Sequence, residues 1–263
     1  MPLRQIATWL LLGMGILLTG LNLYGIAEPN DRREELGVTL SFHDALAQMD
    51  QTFTEQGASA ASLAEMSATY ASAIDYSWPT EWAAVPLSDN WILHLASYTD
   101  ALFVSLGVSQ VHNLFAEFQS LDYERGFRRG YGICSQNAIA FVDLIKRRYD
   151  IDAAVVGLNG HVVVEARTDN GARLVDPSLG LAFPLGFDDL GANIDPVITA
   201  YYTAAGYPEL AMTYNLEGNS REPWGAQGYQ PKVFLLERWA DALKWPLPLL
   251  ALLLGWLLAR RST

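Results

Sequence analysis

Cys134 is the only cysteine among 263 residues, and it stands in Gly130-Tyr131-Gly132-Ile133-Cys134-Ser135-Gln136-Asn137-Ala138, where a loop turns into a helix. His161 follows 27 residues later in the strand-like run Gly160-His161-Val162-Val163-Val164-Glu165. Asp176 comes 15 residues after that, closing Ala172-Arg173-Leu174-Val175-Asp176-Pro177. A thiol is a weak nucleophile until it is ionised. Unpaired backbone N–H groups at a helix start and a neighbouring imidazolium both lower its pKa. The same N–H groups can stabilise the oxyanion formed when a thiolate attacks a carbonyl. An imidazole that exchanges protons must hold one tautomer, which a carboxylate on its far nitrogen secures. Cysteine, histidine and aspartate therefore read as nucleophile, base and orienter. Each has a plainer reading alone: an inert buried thiol, a structural strand histidine, an Asp-Pro turn. As an ordered set they describe a reaction. Gln136 and Trp91 are candidates for a side-chain oxyanion donor, and neither has a firm assignment.

The elements that must position these groups follow from periodicity. Ser135 to Tyr149 is helical, with Ala138, Val142 and Ile145 on the face of Cys134. Residues 153–156, 161–167 and 172–175 read as strands, the last two joined by Asp169-Asn170-Gly171, a hairpin signal. On adjacent antiparallel strands, His161 and Asp176 would be cross-strand neighbours. Upstream, apolar spacing between Ser41 and Ala73 predicts helices with Ser41 and Ser59 as caps. Residues 75–89, with Trp78-Pro79 and Val85-Pro86, read as an irregular connection. Residues 91–106 predict a helix whose apolar face carries Trp91, Leu95, Leu102 and Leu106, and residues 108–118 predict another. Residues 28–40 read as a polar linker and residues 123–132 as a loop. A final helix is expected around residues 196–205.

Composition concentrates apolar residues at the two ends. Gln5 to Ala27 is an uncharged run of 23 residues, enough to cross a bilayer as a helix. Trp245 to Ala259 is uncharged and leucine-rich, but 15 residues would span only about 22 Å. Local bilayer thinning and snorkelling of Lys244, Arg260 and Arg261 would make up the difference. All 29 acids lie between the two segments with 14 of the 17 Lys and Arg, a formal charge of −15, while Arg4, Arg260 and Arg261 flank the outer ends. That pattern puts both termini in the cytoplasm and exports the middle. So acidic a middle region disfavours nucleic acid and anionic headgroups as partners. A cleaved signal peptide ending at Gly25-Ile26-Ala27 is the alternative for the first segment, and a buried or interfacial helix for the last. A lone cysteine in an exported domain cannot form an internal disulfide.

The stretch from Tyr123 to Gly180, about a fifth of the chain, resembles the transglutaminase-like superfamily. Its core is a cysteine-led helix followed by strands bearing histidine and aspartate. Small residues opening the helix, Val156-Gly157 before the histidine and Asp176-Pro177 carry the likeness, at a spacing that suits a compact member. The resemblance implies Cys134 as nucleophile, His161 as general base and acid, and Asp176 as orienter. It implies an α+β fold in which a helix packs on an antiparallel sheet, with extra N-terminal helices and flanking transmembrane helices. The expected organisation is an N-terminal transmembrane helix or signal anchor over 1–27, an exported domain over 28–243 with its core at about 108–205, and a C-terminal helix with a basic tail over 244–263.

The function expected is that of a bacterial thiol enzyme of the cell envelope. It would be integral to the cytoplasmic (inner) membrane, with its main domain on the periplasmic side. It would act as acyltransferase or hydrolase on amide or ester bonds of a protein, peptide or envelope polymer, through a Cys134 thioester. The alternative is a non-catalytic module of the same fold that binds or assembles an envelope or polysaccharide system. No cofactor and no metal are expected: His43, His94 and His112 lack paired ligand spacing. Gly126, Gly130 and Gly132 lack the Gly-Lys-Ser/Thr of a phosphate loop. Arg125, Arg128 and Arg129 read as a solvated loop or, alternatively, as a basic patch beside the thiol. Trp78, Trp82, Trp91, Trp224 and Tyr229 read as core or as the lining of a groove. Nothing in the sequence sets an oligomeric state.

Overall fold

The computed structural model describes residues 3–27, 31, 33–77, 85–107, 119–190, 195–215, 219–222 and 225–260. The helix expected over 108–118 lies outside these residues, as do His112, Trp78, Trp82 and Trp224. In chain order come α1 (Leu3–Ala27), α2 (Arg33–Leu36), α3 (Phe42–Gln56), α4 (Ala60–Ser72), α5 (Trp91–Ser105), α6 (Tyr123–Arg128) and α7 (Cys134–Tyr149). Strands β1 (Ala153–Leu158), β2 (His161–Thr168), β3 (Gly171–Asp176) and β4 (Leu181–Ala182) follow. After them come α8 (Pro196–Ala205), β5 (Ser220–Glu222), α9 (Ala226–Tyr229), α10 (Pro231–Leu243) and α11 (Pro246–Arg260), with 3-10 turns at Phe187–Asp189 and Pro208–Asn215. The architecture is α+β, and it divides into two units: residues 31–78 with 119–234, and residues 1–30, 79–118 and 235–263.

The first unit holds an antiparallel sheet ordered β4-β3-β2-β1-β5. Tight turns at Asn159-Gly160 and Asp169-Asn170 join β1 to β2 and β2 to β3, so each hairpin closes directly on the next strand. Gly160 has φ +94°, which a side chain would resist, and the turn it allows makes His161 the first residue of β2. Alternation splits the strands between two layers. Val156, Leu158, Val163 and Leu174 bury against Phe183, Ile198, Tyr202 and Tyr214 on one face. Val155, Val164 and Val175 lie on the other and are fully buried, the side on which α7 contacts β1 and β2. Ala138, Val142 and Ile145 of α7 are buried as the helical period requires.

The anticipated Ser41 and Ser59 caps both form, each hydroxyl accepting the backbone N–H three residues on. Two expectations are overturned. Residues 123–132 are not a loop throughout: Asp122 caps α6 through a hydrogen bond from Glu124 N–H. The stretch 28–40 is not a polar linker throughout either, since Arg33 is only 4% exposed. Its guanidinium donates to the carbonyls of Ala73, Arg128 and Phe127 and pairs with Asp31 at 3.0 Å. Gly130 is needed beside it, because a Cβ there would lie 2.5 Å from Arg33 Cγ.

Helix α1 and the stretch Pro231–Arg260, which from Leu235 belongs to the second unit, are long and apolar enough to cross a membrane. They run antiparallel. Arg4 donates to the Leu258 carbonyl at 2.9 Å at one end, and Asn22 donates to the Lys244 carbonyl at 2.7 Å at the other. Close approach rests on small residues: a Cβ on Gly15 would come within 2.6 Å of Leu252, and one on Gly255 within 2.8 Å of Leu12. Small residues let backbones approach where lipid would supply no hydrophobic drive between helices. Helix α11 has 15 residues, as few as the uncharged run, and α10, which carries Lys232, Glu237, Arg238 and Asp241, leads into it through a turn at 244–245.

Candidate active site

Cys134 opens α7 and is partly exposed. The N-cap is Ile133, whose side chain cannot accept a hydrogen bond, whereas α3, α4, α6 and α8 are capped by Ser41, Ser59, Asp122 and Asp195. The first N–H groups of any α-helix lack intrahelical carbonyls. On α7 no cap side chain takes them, and the N–H of Ser135, with that of Val162 in β2, interacts with the thiol. Burial pushes the Cys134 pKa up, but the hydrogen bond and charge of His161 and these two N–H groups outweigh it, and the net shift is downward.

His161 is 2% exposed and Asp176 is fully buried. His161 Nε2 lies 2.8 Å from Asp176 Oδ2. The register corrects how they meet: Val164 pairs with Val175, so Asp176 faces Val163 and reaches His161 diagonally rather than straight across. Asp176 also accepts from the Tyr202 hydroxyl at 2.8 Å and from the Ser178 N–H at 3.0 Å. Tyr202 and Tyr214 hydroxyls are 2.8 Å apart. A phenol has one proton, and that of Tyr202 goes to the carboxylate, so Tyr214 donates to Tyr202. Burial and the Asp176 charge push both phenol pKa values well up, which keeps the chain protonated.

Proton accounting then assigns the imidazole. A carboxylate only accepts, so Nε2 carries the hydrogen and Nδ1 is left as the ring atom available to the thiol. Nδ1 is buried and lacks a hydrogen bond of full geometry. The thiol and imidazole are nevertheless close enough to shift each other. Burial pulls the His161 pKa down, but hydrogen bonds and charges of Asp176 and Cys134 push it up to about 9. Such contacts often align only when substrate is bound. The two shifts run in the direction that favours the thiolate–imidazolium form of the pair.

The structure thus brings Cys134, His161 and Asp176 together, and the polar atoms of both oxyanion candidates have other partners. Gln136 is buried, its amide donating to the Ser120 carbonyl while its oxygen accepts from Ser120 N–H and Arg129. Trp91 belongs to the other unit, where its indole donates to the Lys244 carbonyl. Arg129 does not belong to a solvated loop as expected, being buried against Gln136 and the Tyr131 ring. Gly126 serves the same packing, since a Cβ there would meet the Gln136 amide at 2.6 Å.

Tyr76 is the group the sequence did not single out. Asp75 N–H donates to the Gly130 carbonyl at 2.8 Å, and Gly132 N–H donates to the Asp75 carbonyl at 3.2 Å. This short bridge fixes Tyr76 beside the loop that leads into Cys134, and its hydroxyl hydrogen-bonds the thiol. Burial first, then the charges of Cys134 and Asp176, push its pKa up, so it stays a donor. Tyr229 is half-buried and feels the thiol's charge. Gln119 donates to the Ser135 hydroxyl at 2.6 Å and accepts from Gln230 at 3.1 Å. No motif flags Tyr76, Tyr202 or Tyr214; only distance in the fold does. Among the described residues, no three His, Cys, Asp or Glu side chains gather as a metal site. No family model, curated protein or solved structure matches the chain.

Proposed function

We propose that this chain is a membrane-anchored, transglutaminase-like thiol enzyme acting on amide or ester carbonyls outside the cytoplasmic membrane. The observation that carries the reading is one imidazole, held by Asp176 at 2.8 Å through Nε2, with its other nitrogen left for Cys134 at an uncapped helix start. The Cys134 thiolate would attack the substrate carbonyl carbon, with the oxyanion received by the Ser135 N–H and the Tyr76 hydroxyl. Collapse of that intermediate breaks the bond to nitrogen or oxygen, and the leaving group takes the imidazolium proton as the thioester forms. Water or an amine then attacks the thioester, giving its proton to His161, and the thiolate leaves. Anchoring by α1 and the α10–α11 stretch, with the acidic middle exported, is supported by the antiparallel pairing that sets Arg4 beside Leu258.

Thiol reactivity tests the chemistry. Iodoacetamide at pH 7 should alkylate Cys134 faster than a free-thiol peptide, and His161→Ala should lose that advantage. Equal, slow rates in both proteins would instead support a non-catalytic envelope-binding module. Topology is tested separately with reporter fusions: both termini should report cytoplasm, and an insertion near Gly218, outside the described residues, should report export. A cytoplasmic signal at Gly218 would end the envelope-substrate reading.

A further inference from the structure

Helix α5 keeps its apolar face out of its own unit. The sequence predicts a helix whose apolar stripe includes Leu95, Leu102 and Leu106, and a stripe of that kind ordinarily faces a protein core. Here Leu95, Tyr98, Leu102, Phe103 and Leu106 are each half or more exposed, while Leu93 on the opposite side is fully buried. Positions 95, 98, 102 and 106 fall on one side of a helix of 3.6 residues per turn. From Trp91 to Leu106 the only acidic residue is Asp100, and there is no lysine or arginine.

The position of α5 within its unit bears on what could cover that face. Asn90, just before α5, donates to Asp241 at 2.8 Å, and the Trp91 indole donates to the Lys244 carbonyl at 3.2 Å. Lys244 Nζ in turn donates to the Asp89 carbonyl at 3.2 Å, and Asn22 near the end of α1 donates to the same Lys244 carbonyl. The start of α5 is therefore tied to the corner where α1 nears its end and α11 is about to begin. In a bilayer that corner lies at the headgroup level, where an indole and an ammonium are favoured. A helix leaving it with an uncovered apolar stripe has acyl chains as its nearest apolar medium.

We infer that α5 is a third membrane element, lying in the bilayer interface with Leu95, Tyr98, Leu102, Phe103 and Leu106 inserted among acyl chains. The inference rests on the reading of α1 and α11 as membrane-spanning. Because α5 has no lysine or arginine, its insertion needs apolar contact and not anionic headgroups, so salt and lipid charge should leave it unchanged.

The test uses the full chain with Cys134→Ser, reconstituted in phosphatidylcholine vesicles. An environment-sensitive fluorophore is attached in turn through Leu102→Cys, through Leu10→Cys in α1, and through Asn170→Cys in the exposed β2–β3 turn. The expected result is blue-shifted emission at both 102 and 10, quenched at least twofold by lipids carrying a quencher on the acyl chain, with water-like emission at 170. The signal at 102 should persist in 1 M salt, where charge attraction is screened within about 3 Å. Quenching at 10 but water-like emission at 102 overturns the inference alone. Blue-shifted emission at 102 without lipid quenching also overturns it, and would mean that protein covers the face. Loss of quenching at both 10 and 102 overturns the inference together with the anchor on which it rests. Leu102 is exposed, so its replacement leaves the core intact.

Discussion

Two buried charges in the sheet unit are handled in opposite ways. Arg33 is closed: its guanidinium spends its donors on the Ala73, Arg128 and Phe127 carbonyls and on Asp31, and Phe42 and Phe127 pack against it. Burial pulls its pKa down, and the Asp31 charge opposes that. Asp176 is open at one end. It takes hydrogens from His161, Tyr202 and Ser178, but the imidazole it orients keeps Nδ1 toward a partly exposed thiol. A saturated buried charge locks chain segments together. A buried charge whose partner retains a free valence toward an accessible atom can do chemistry.

The largest effect should come from Asp176→Asn. The amide keeps the shape but can donate a hydrogen to Nε2, which favours the other imidazole tautomer, so turnover should fall by about 10⁴ with little loss of fold. Turnover against circular dichroism checks this, and unchanged turnover would put Asp176 in the same structural class as Arg33. Arg33→Met should do the reverse. Three carbonyls lose their donor, destabilising the unit by on the order of 3 kcal/mol, while alkylation of Cys134 in the folded fraction stays at its original rate. A denaturation midpoint that does not move would mean the cluster is not the lock described.

Two smaller effects probe the open end. Tyr202→Phe removes one hydrogen bond to a buried carboxylate, a change of about 1.5–3 kcal/mol, and should push the His161 pKa further up from about 9, because Asp176 keeps more of its charge for the imidazolium. The sign can be read from pH profiles. Reactivity rises as the thiol ionises, below the ordinary thiol range because its pKa is lowered, and general-acid activity falls as His161 loses its proton near pH 9. Tyr202→Phe should therefore move the alkaline limb to higher pH, and an unmoved limb would exclude Tyr202 from the relay. Ile133→Ser is the mildest. A hydroxyl at the N-cap would compete with the thiolate for the N–H groups of α7, stabilising the helix by up to about 1 kcal/mol and shifting the acid limb upward by a few tenths of a pH unit.

Much of this molecule is a local property of its chain. The serine caps at 41 and 59, the α7 period through Ala138, Val142 and Ile145, the hairpin at Asp169-Asn170 and the two uncharged terminal runs are short-range signals, because each depends on neighbours within about one turn or one strand pair. The order of cysteine, histidine and aspartate was legible for the same reason, as each closes or opens its own element. What the chain could not announce locally is who meets whom. Tyr76 reaches the thiol through a bridge between residues 75 and 131, and Tyr202 reaches Asp176 across 26 positions. Arg33 sits in a stretch whose composition reads as solvated linker, yet carbonyls some 40 and 95 residues away make its burial tolerable. The apolar stripe of α5 would read identically facing a core or a bilayer, since periodicity fixes which residues share a side and only tertiary packing decides what that side touches.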